Sequence, residues 1–148
     1  MRTLDDGVHH GIVQLCSVGD QLLDRGSNRA AIESYRLAWD LLPEPKEEWE
    51  AATWILSAIG DAAFLSSSFE EAHVAFSRAV ECPQELGNAF IHLRLGQCCF
   101  ELNSPGKAAD ELARAYMAGG VEVFEGEDPR YLAYLRTQLL APPGGELW

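Results

Sequence analysis

The chain has 148 residues, of which 47% are hydrophobic and 23% are charged, values that are typical of one globular domain with its own core. Eleven Lys and Arg residues stand against 23 Asp and Glu residues, so the formal net charge is −12. An acidic chain of this kind repels nucleic acid and anionic lipid, and it attracts basic partners by the same Coulomb force. We therefore expect no nucleic-acid or membrane partner.

The four cysteines, at positions 16, 82, 98 and 99, show neither a C-x-x-C spacing nor a histidine at zinc-finger spacing. This pattern predicts free thiols that pack as small apolar side chains in a reducing compartment. Residues 1–10 lack the apolar segment of a secretory signal, and no run of about 18 apolar residues could span a bilayer. The expected location is the cytoplasm, and we expect neither a cofactor nor a metal.

Three segments of the chain repeat one pattern of small and large apolar residues. In each segment a glycine is followed by alanine 12 residues later, by a large apolar residue 16 later and by a second alanine 19 later. The small residues would let two helices approach closely, and the large one would fill the space between turns. The members are Gly19, Ala31, Tyr35 and Ala38; Gly60, Ala72, Phe76 and Ala79; and Gly96, Ala108, Leu112 and Ala115. The sequence therefore predicts three helix pairs, at about residues 12–45, 46–86 and 89–120.

The two helices of each predicted pair are separated by residues that favour helix ends. Gly26 suits the position after a helix C-terminus. Ser68 and Glu71 have the spacing of a capping box. Ser104 precedes Pro105, which suits the first turn of a new helix.

The first two glycines of the repeat are 41 residues apart, whereas the second and third are 36 apart. The extra residues lie around residues 46–52, and they contain Trp49 but no turn former. We therefore predict a lengthened helix that runs from about Pro45 to Leu65.

A seventh helix is predicted at about residues 129–140, after the helix-starting pair Asp128-Pro129. Its apolar stripe should pack on the third helix pair and cap the array. The linker from Gly119 to Asp128 is acidic, and apolar residues within it should hold it in place as an ordered loop. Residues 142–148 are predicted to form a flexible tail, with docking of Trp148 on a neighbouring apolar surface as the alternative.

The repeat resembles the tetratricopeptide repeat family. The family's sequence of a Leu-Gly pair, Ala, an aromatic residue, Ala and Pro stands in the first copy as Val18-Gly19, Ala31, Tyr35, Ala38 and Pro43. The period departs from the family value of about 34 residues, and the third copy has Leu112 instead of the aromatic residue. The resemblance implies an all-α fold, a right-handed superhelical stack of antiparallel helix pairs with about seven helices, as a single domain over residues 1–141.

The resemblance also implies a concave groove lined by the first helix of each pair, where family members hold their ligands. The expected groove residues are Val13, Cys16, Asp20, Leu23, Trp54, Ser57, Asp61, Phe64, Phe90, Leu93, Arg94, Gln97 and Phe100. The interior between helices should be filled by Leu15, Val18, Leu56, Ile59 and Leu95. Trp54, Phe64 and Phe90 are then surplus to that packing, as is Phe100. Exposed aromatic residues mark interaction sites, unless the terminal helix or a second chain covers them.

Some family members hold acidic C-terminal peptides in a clamp of Lys, Asn and Arg. Of the equivalent positions in this chain, only Arg94 carries such a residue, and Asp20 would repel a carboxylate. The expected partner is instead another protein that offers an apolar segment with basic flanks.

No motif for a nucleophile, a phosphate loop or a metal-dependent hydrolase occurs in the sequence. His9 and His10 lack metal-ligand partners at helical spacing, and His92 is expected to be packed and hydrogen-bonded. We therefore predict a non-enzymatic binding module of the adaptor or chaperone-like kind. Two alternatives stay open: an immunity protein or antitoxin that occludes a bacterial toxin, and a homo-oligomer with Trp54 and Phe90 at a two-fold interface.

Overall fold

The computed structural model describes residues 3–83 and 88–139, and over those residues the protein is helical, without a β-strand. The helices are α1 (Asp6–Asp24), α2 (Asn28–Asp40), α3 (Glu50–Leu65), α4 (Phe69–Ala79), α5 (Ala89–Glu101), α6 (Pro105–Gly119) and α7 (Pro129–Gln138). Short 3₁₀ helices cover Lys46–Glu48 and Val121–Phe124. The predicted all-α class with about seven helices is confirmed. None of these helices is both long and apolar enough to cross a membrane.

The chain divides into two compact units, Met1–Gln84 and Glu85–Trp148, which we call unit 1 and unit 2. In unit 1, α1 packs on α2, α2 on α3, and α3 on α4; in unit 2, α5 packs on α6 and α6 on α7. A single domain over residues 1–141 stays a prediction. The predicted tail, residues 142–148, lies outside the described residues, as does Trp148.

The repeated glycine is a point of close approach in each helix pair. A Cβ atom added to Gly19 would lie 2.4 Å from Tyr35, and one added to Gly60 would lie 2.6 Å from Phe76. In unit 2 an added Cβ on Gly96 would lie 2.6 Å from Leu112. The large partner residues and the six repeated alanines are all buried. The spacing found in the sequence is therefore the spacing of the contact between paired helices.

The three helix pairs also share one turn. Each first helix ends in a Schellman motif, in which the residue after the C-cap has a positive φ: 79° at Gly26, 60° at Ser67 and 61° at Asn103. The following serine donates its backbone N–H to a carbonyl five residues earlier, as from Ser68 to Ala63 at 2.8 Å. The predicted capping box at Ser68 is wrong, because its side chain makes no capping hydrogen bond and Oγ accepts from Arg29 at 2.9 Å.

The predicted lengthened helix from Pro45 to Leu65 is also wrong, since α3 begins at Glu50. The preceding residues fold back on the C-terminus of α2 instead. Nζ of Lys46 lies 2.6 Å from the carbonyl oxygen of Leu42 and 3.3 Å from that of Trp39, so it satisfies carbonyls that the helix end leaves open. The indole N–H of Trp49 donates to the carbonyl of Pro43 at 2.9 Å.

The expected interior position of Val18 is a further correction, since 48% of this residue is exposed. Its counterpart Ile59 is buried, as expected, together with Leu56 and Leu95. The reason lies in the neighbours: α3 packs on both α2 and α4, whereas α1 packs extensively only on α2.

The terminal helix of unit 2 forms as predicted. Asp128 accepts a hydrogen bond from the backbone N–H of Arg130 at 2.9 Å, and Pro129 occupies the first turn. Tyr131 and Leu135 are buried in one cluster with Leu93 and Phe124. Phe124 belongs to the linker, so the acidic loop is ordered and held by an apolar side chain, as expected.

Candidate protein-binding face

The expected groove residues of unit 1 lie in two helical stripes. On α1 the stripe contains Val13, Cys16, Asp20 and Leu23, and on α3 it contains Trp54, Ser57, Asp61 and Phe64. We call these eight residues the α1–α3 face. All of them are at least partly exposed, and the largest apolar exposures are 44% at Val13 and 41% at Trp54. Oγ of Ser57 is buried and has no hydrogen-bond partner among the described residues.

Tyr35, which lies on α2, interacts with aspartates of both stripes. Its ring lies against Gly19, and its hydroxyl donates to Oδ1 of Asp20 at 2.6 Å. Burial raises the pKa of Tyr35, and the hydrogen bond to Asp20 and the negative charge of Asp61 add to the rise. The Tyr35 hydroxyl thus lies within the electrostatic reach of aspartates from both α1 and α3.

The thiol of Cys16 lies in the same cluster. Burial raises its pKa to about 11, and the charge of Asp20 contributes to the rise. Burial is also the largest cause of the raised pKa of Cys82, Cys98 and Cys99. All four cysteines are free, and raised pKa values keep them as neutral thiols at pH 7, so none is an activated nucleophile.

The charges of unit 1 are segregated between its helices. Neither α1 nor α3 contains Lys or Arg, and together they carry Asp6, Asp20, Asp24, Glu50 and Asp61. Three arginines of unit 1 lie on α2 and α4, and each forms an ion pair. The ion pairs are Arg29–Glu71 at 2.9 Å, Arg36–Glu71 at 3.0 Å and Arg78–Glu47 at 3.0 Å. The α1–α3 face therefore carries Asp20 and Asp61 with no cation on either of its helices, whereas the arginines of α2 and α4 are ion-paired.

In unit 2 the equivalent face of α5 is largely covered. Phe90 remains 37% exposed, but Leu93, Arg94 and Gln97 are buried, so those three are not accessible groove residues in the described structure. The expected groove is corrected at these positions for a physical reason: Leu93 packs in the core with residues of α6 and α7. Phe100 makes edge-on contacts with Tyr131 and Tyr134 of α7, each with ring centroids 5.4 Å apart.

Arg94 and Gln97 form a polar network with Glu127 of the acidic loop. Oε1 of Glu127 accepts from Arg94 Nη1 at 2.6 Å and from Gln97 Nε2 at 2.8 Å, and Arg94 also donates to Gln97 at 2.8 Å. The guanidinium carbon of Arg94 lies 4.9 Å from the ring centre of Phe90. Sequence reasoning assigned Arg94 to ligand binding and missed Glu127; the available signal was one cation on α5 facing an acidic loop.

His92 is packed and hydrogen-bonded as expected, with Nδ1 2.7 Å from Oε2 of Glu111. Within residues 3–83 and 88–139, no three His, Cys, Asp or Glu side chains lie where they could hold a metal ion. No protein-family model matches the chain, and no curated protein has significant sequence similarity to it. The α1–α3 face is therefore interpreted from its own chemistry.

Proposed function

We propose that this chain is a tetratricopeptide-like binding module without catalytic activity, which holds an apolar segment with basic residues from another protein on the α1–α3 face. One observation carries the proposal. The α1–α3 face presents exposed apolar side chains with two carboxylates, and the two helices that carry it contain five carboxylates and no Lys or Arg. The shared turn and glycine contact of the three helix pairs support the tetratricopeptide-like part of the proposal.

Charge and apolar area have different roles in this proposal. The net charge of −12 steers a basic segment towards the protein and raises the rate of association. An exposed ion pair with Asp20 or Asp61 contributes only about 0.2–1 kcal/mol. Most of the affinity therefore comes from burial of Trp54 and its apolar neighbours, because a well-covered tryptophan contributes about 2 kcal/mol or more.

Binding without chemistry is supported by the state of the reactive side chains. The buried thiols are neutral at pH 7, so a cysteine nucleophile would have to be activated by a base. The hydroxyl of Tyr35 donates a hydrogen bond to Asp20, and its raised pKa opposes ionisation. These groups therefore favour binding through the shape and charge of the surface over reaction.

The test compares two amphipathic peptides of equal length, one of leucine and lysine and one of leucine and glutamate, in titrations of the full chain. We expect the lysine peptide to bind at least about tenfold more tightly, with an affinity that falls as salt is added. The variant D20N/D61N should lose most of this preference. Its control, E33Q/D40N, removes the same charge from exposed positions on α2 and should retain the preference. Tighter binding of the glutamate peptide would contradict the proposal.

A further inference from the structure

A cavity of about 480 Å³ opens next to Trp54, between the N-terminal turns of α1 and the start of α3. Trp49 and Trp54 form part of its wall, and His9 and the carboxylates of Asp6, Glu48 and Glu50 surround them. The volume is in the range of sites that bury a small ligand or an anchoring side chain. Because Trp54 belongs to the α1–α3 face, the cavity is continuous with that face.

The two indoles differ in exposure and in hydrogen bonding. Trp49 is almost fully buried, and its N–H is held by the carbonyl of Pro43 at 2.9 Å. Trp54 leaves 41% of its surface in water. One wall of the cavity is therefore a fixed ring, while the other is a large apolar side chain that a bound group would cover.

The chemistry around the rings selects a cation. The face of an indole carries negative electrostatic potential and attracts Lys or Arg. Three carboxylates reinforce this attraction, and none of the described lining residues is Lys or Arg. Asp6 and Glu50 also lie in the first turns of α1 and α3, where a carboxylate interacts favourably with the positive end of the helix dipole. That stabilising role does not account for the exposed tryptophan beside these carboxylates.

We infer that this cavity receives an arginine side chain of the partner segment, stacked on Trp54 with its N–H groups directed to the surrounding carboxylates. This inference rests on the proposed function and names the anchor within it. A planar guanidinium can stack on a ring and still donate hydrogen bonds from its edge. An ammonium is a compact point charge that does not stack, and a quaternary ammonium has no hydrogen to donate to Glu48 or Glu50.

The experiment uses the full chain and two leucine-containing peptides that differ at one central residue, arginine in one and citrulline in the other. Citrulline keeps the shape of arginine and removes the charge. We expect the arginine peptide to bind the wild-type protein about tenfold more tightly. That ratio should fall towards one in W54L and in E48Q/E50Q. The matched control F64L changes an aromatic residue elsewhere on the same face, so it should weaken both peptides and preserve the ratio. Circular dichroism of each variant establishes that it is folded.

Failure of the anchor and failure of the proposed function are distinguishable. If the arginine peptide binds but its advantage over citrulline is unchanged in W54L, the cavity is not the arginine site and the proposed function stands. If neither peptide binds, N-acetyl-arginine amide is titrated while the indole NMR signal of Trp54 is followed. Movement of that signal, absent with the citrulline analogue, supports the anchor alone, and no movement overturns it. A lysine or trimethyl-lysine peptide that binds as tightly as the arginine peptide overturns the choice of arginine.

Discussion

The first helices of the pairs use equivalent positions in two different ways. In unit 1 the α1–α3 face is open, with Asp20 and Asp61 at the positions that Gln97 occupies on α5 of unit 2. In unit 2 that position is 0% exposed, and the Gln97 side chain donates to Oε1 of Glu127 at 2.8 Å. Equivalent helix positions are thus candidate binding residues in unit 1 and buried residues in unit 2.

The covered face of unit 2 shows what an occupant of such a helix surface needs. The residues that cover α5 bring a charge opposite to that of the helix, with Glu127 facing Arg94. They also bring aromatic rings that contact Phe100. On the α1–α3 face the sign of the helix charge is reversed, because α1 and α3 themselves supply the carboxylates. A partner that repeated these contacts would therefore bring basic and apolar residues, which is the chemistry that we propose.

The largest expected effect comes from loosening the cover of unit 2. Leu135 is fully buried on α7, so Leu135→Ala should destabilise unit 2 by about 3 kcal/mol through lost burial and a cavity. Amide hydrogen exchange should show the loss first in α7. The control Leu37→Ala, at a residue that is 55% exposed on α2, should cost under about 1 kcal/mol. Equal effects of the two variants would mean that Leu135 does not pack α7 onto the core of unit 2.

Removing the charge that pairs with Arg94 should have the next largest effect. Glu127→Ala removes a carboxylate oxygen that lies 2.6 Å from the nearly buried guanidinium of Arg94, and removing one partner of such a pair costs about 3 kcal/mol. The neighbouring variant Glu125→Ala, at an exposed position, should change the free energy of unfolding in urea by less than about 0.5 kcal/mol. If Glu127→Ala were equally mild, the polar network would not be what holds the loop on α5.

Much of the fold could be predicted because its determinants are close in sequence. The glycine of each pair meets its large partner 16 residues later, as Gly60 meets Phe76, and the turn between them follows from the same spacing. The start of α3 could not be predicted in this way. Trp49 and Lys46 fit a helix by composition, but their hydrogen bonds to the end of α2 decide where the chain goes.

The candidate site shows the same limit. The stripes on α1 and α3 were predictable from helical periodicity, whereas the burial of Arg94 depends on Glu127, 33 residues later. Pairings at that separation leave no periodic signal. Tyr35 carried a readable signal, since the other two copies have Phe76 and Leu112 at the same position and only Tyr35 has a hydroxyl to donate.

The hydroxyl of Tyr35 makes one polar contact in unit 1, fewer than the Arg94–Gln97–Glu127 network makes in unit 2. Its removal should therefore have an intermediate effect on stability. Tyr35→Phe deletes the hydrogen bond to Asp20 and should cost about 1 kcal/mol at pH 7. The pKa of Tyr35 is raised in the folded state, so its stabilisation is fully present below the unfolded value of about 10 and is lost as pH rises above it. Urea midpoints at pH 8 and above pH 10 should therefore converge for the wild type and the variant. A gap that widened with pH would contradict the assigned direction of the pKa shift.

The smallest expected effect is at the turns, where units 1 and 2 use different residues for one backbone conformation. Ser67 has φ 60° and Asn103 has φ 61°, and glycine adopts this region without the steric cost of a side chain. Ser67→Gly should therefore stabilise unit 1 by about 0.5–1 kcal/mol. Asn103→Gly should gain less, because asparagine tolerates the left-handed region better than serine. Urea unfolding of both variants checks the order, and a larger gain at Asn103 would mean that the two turns are not equivalent.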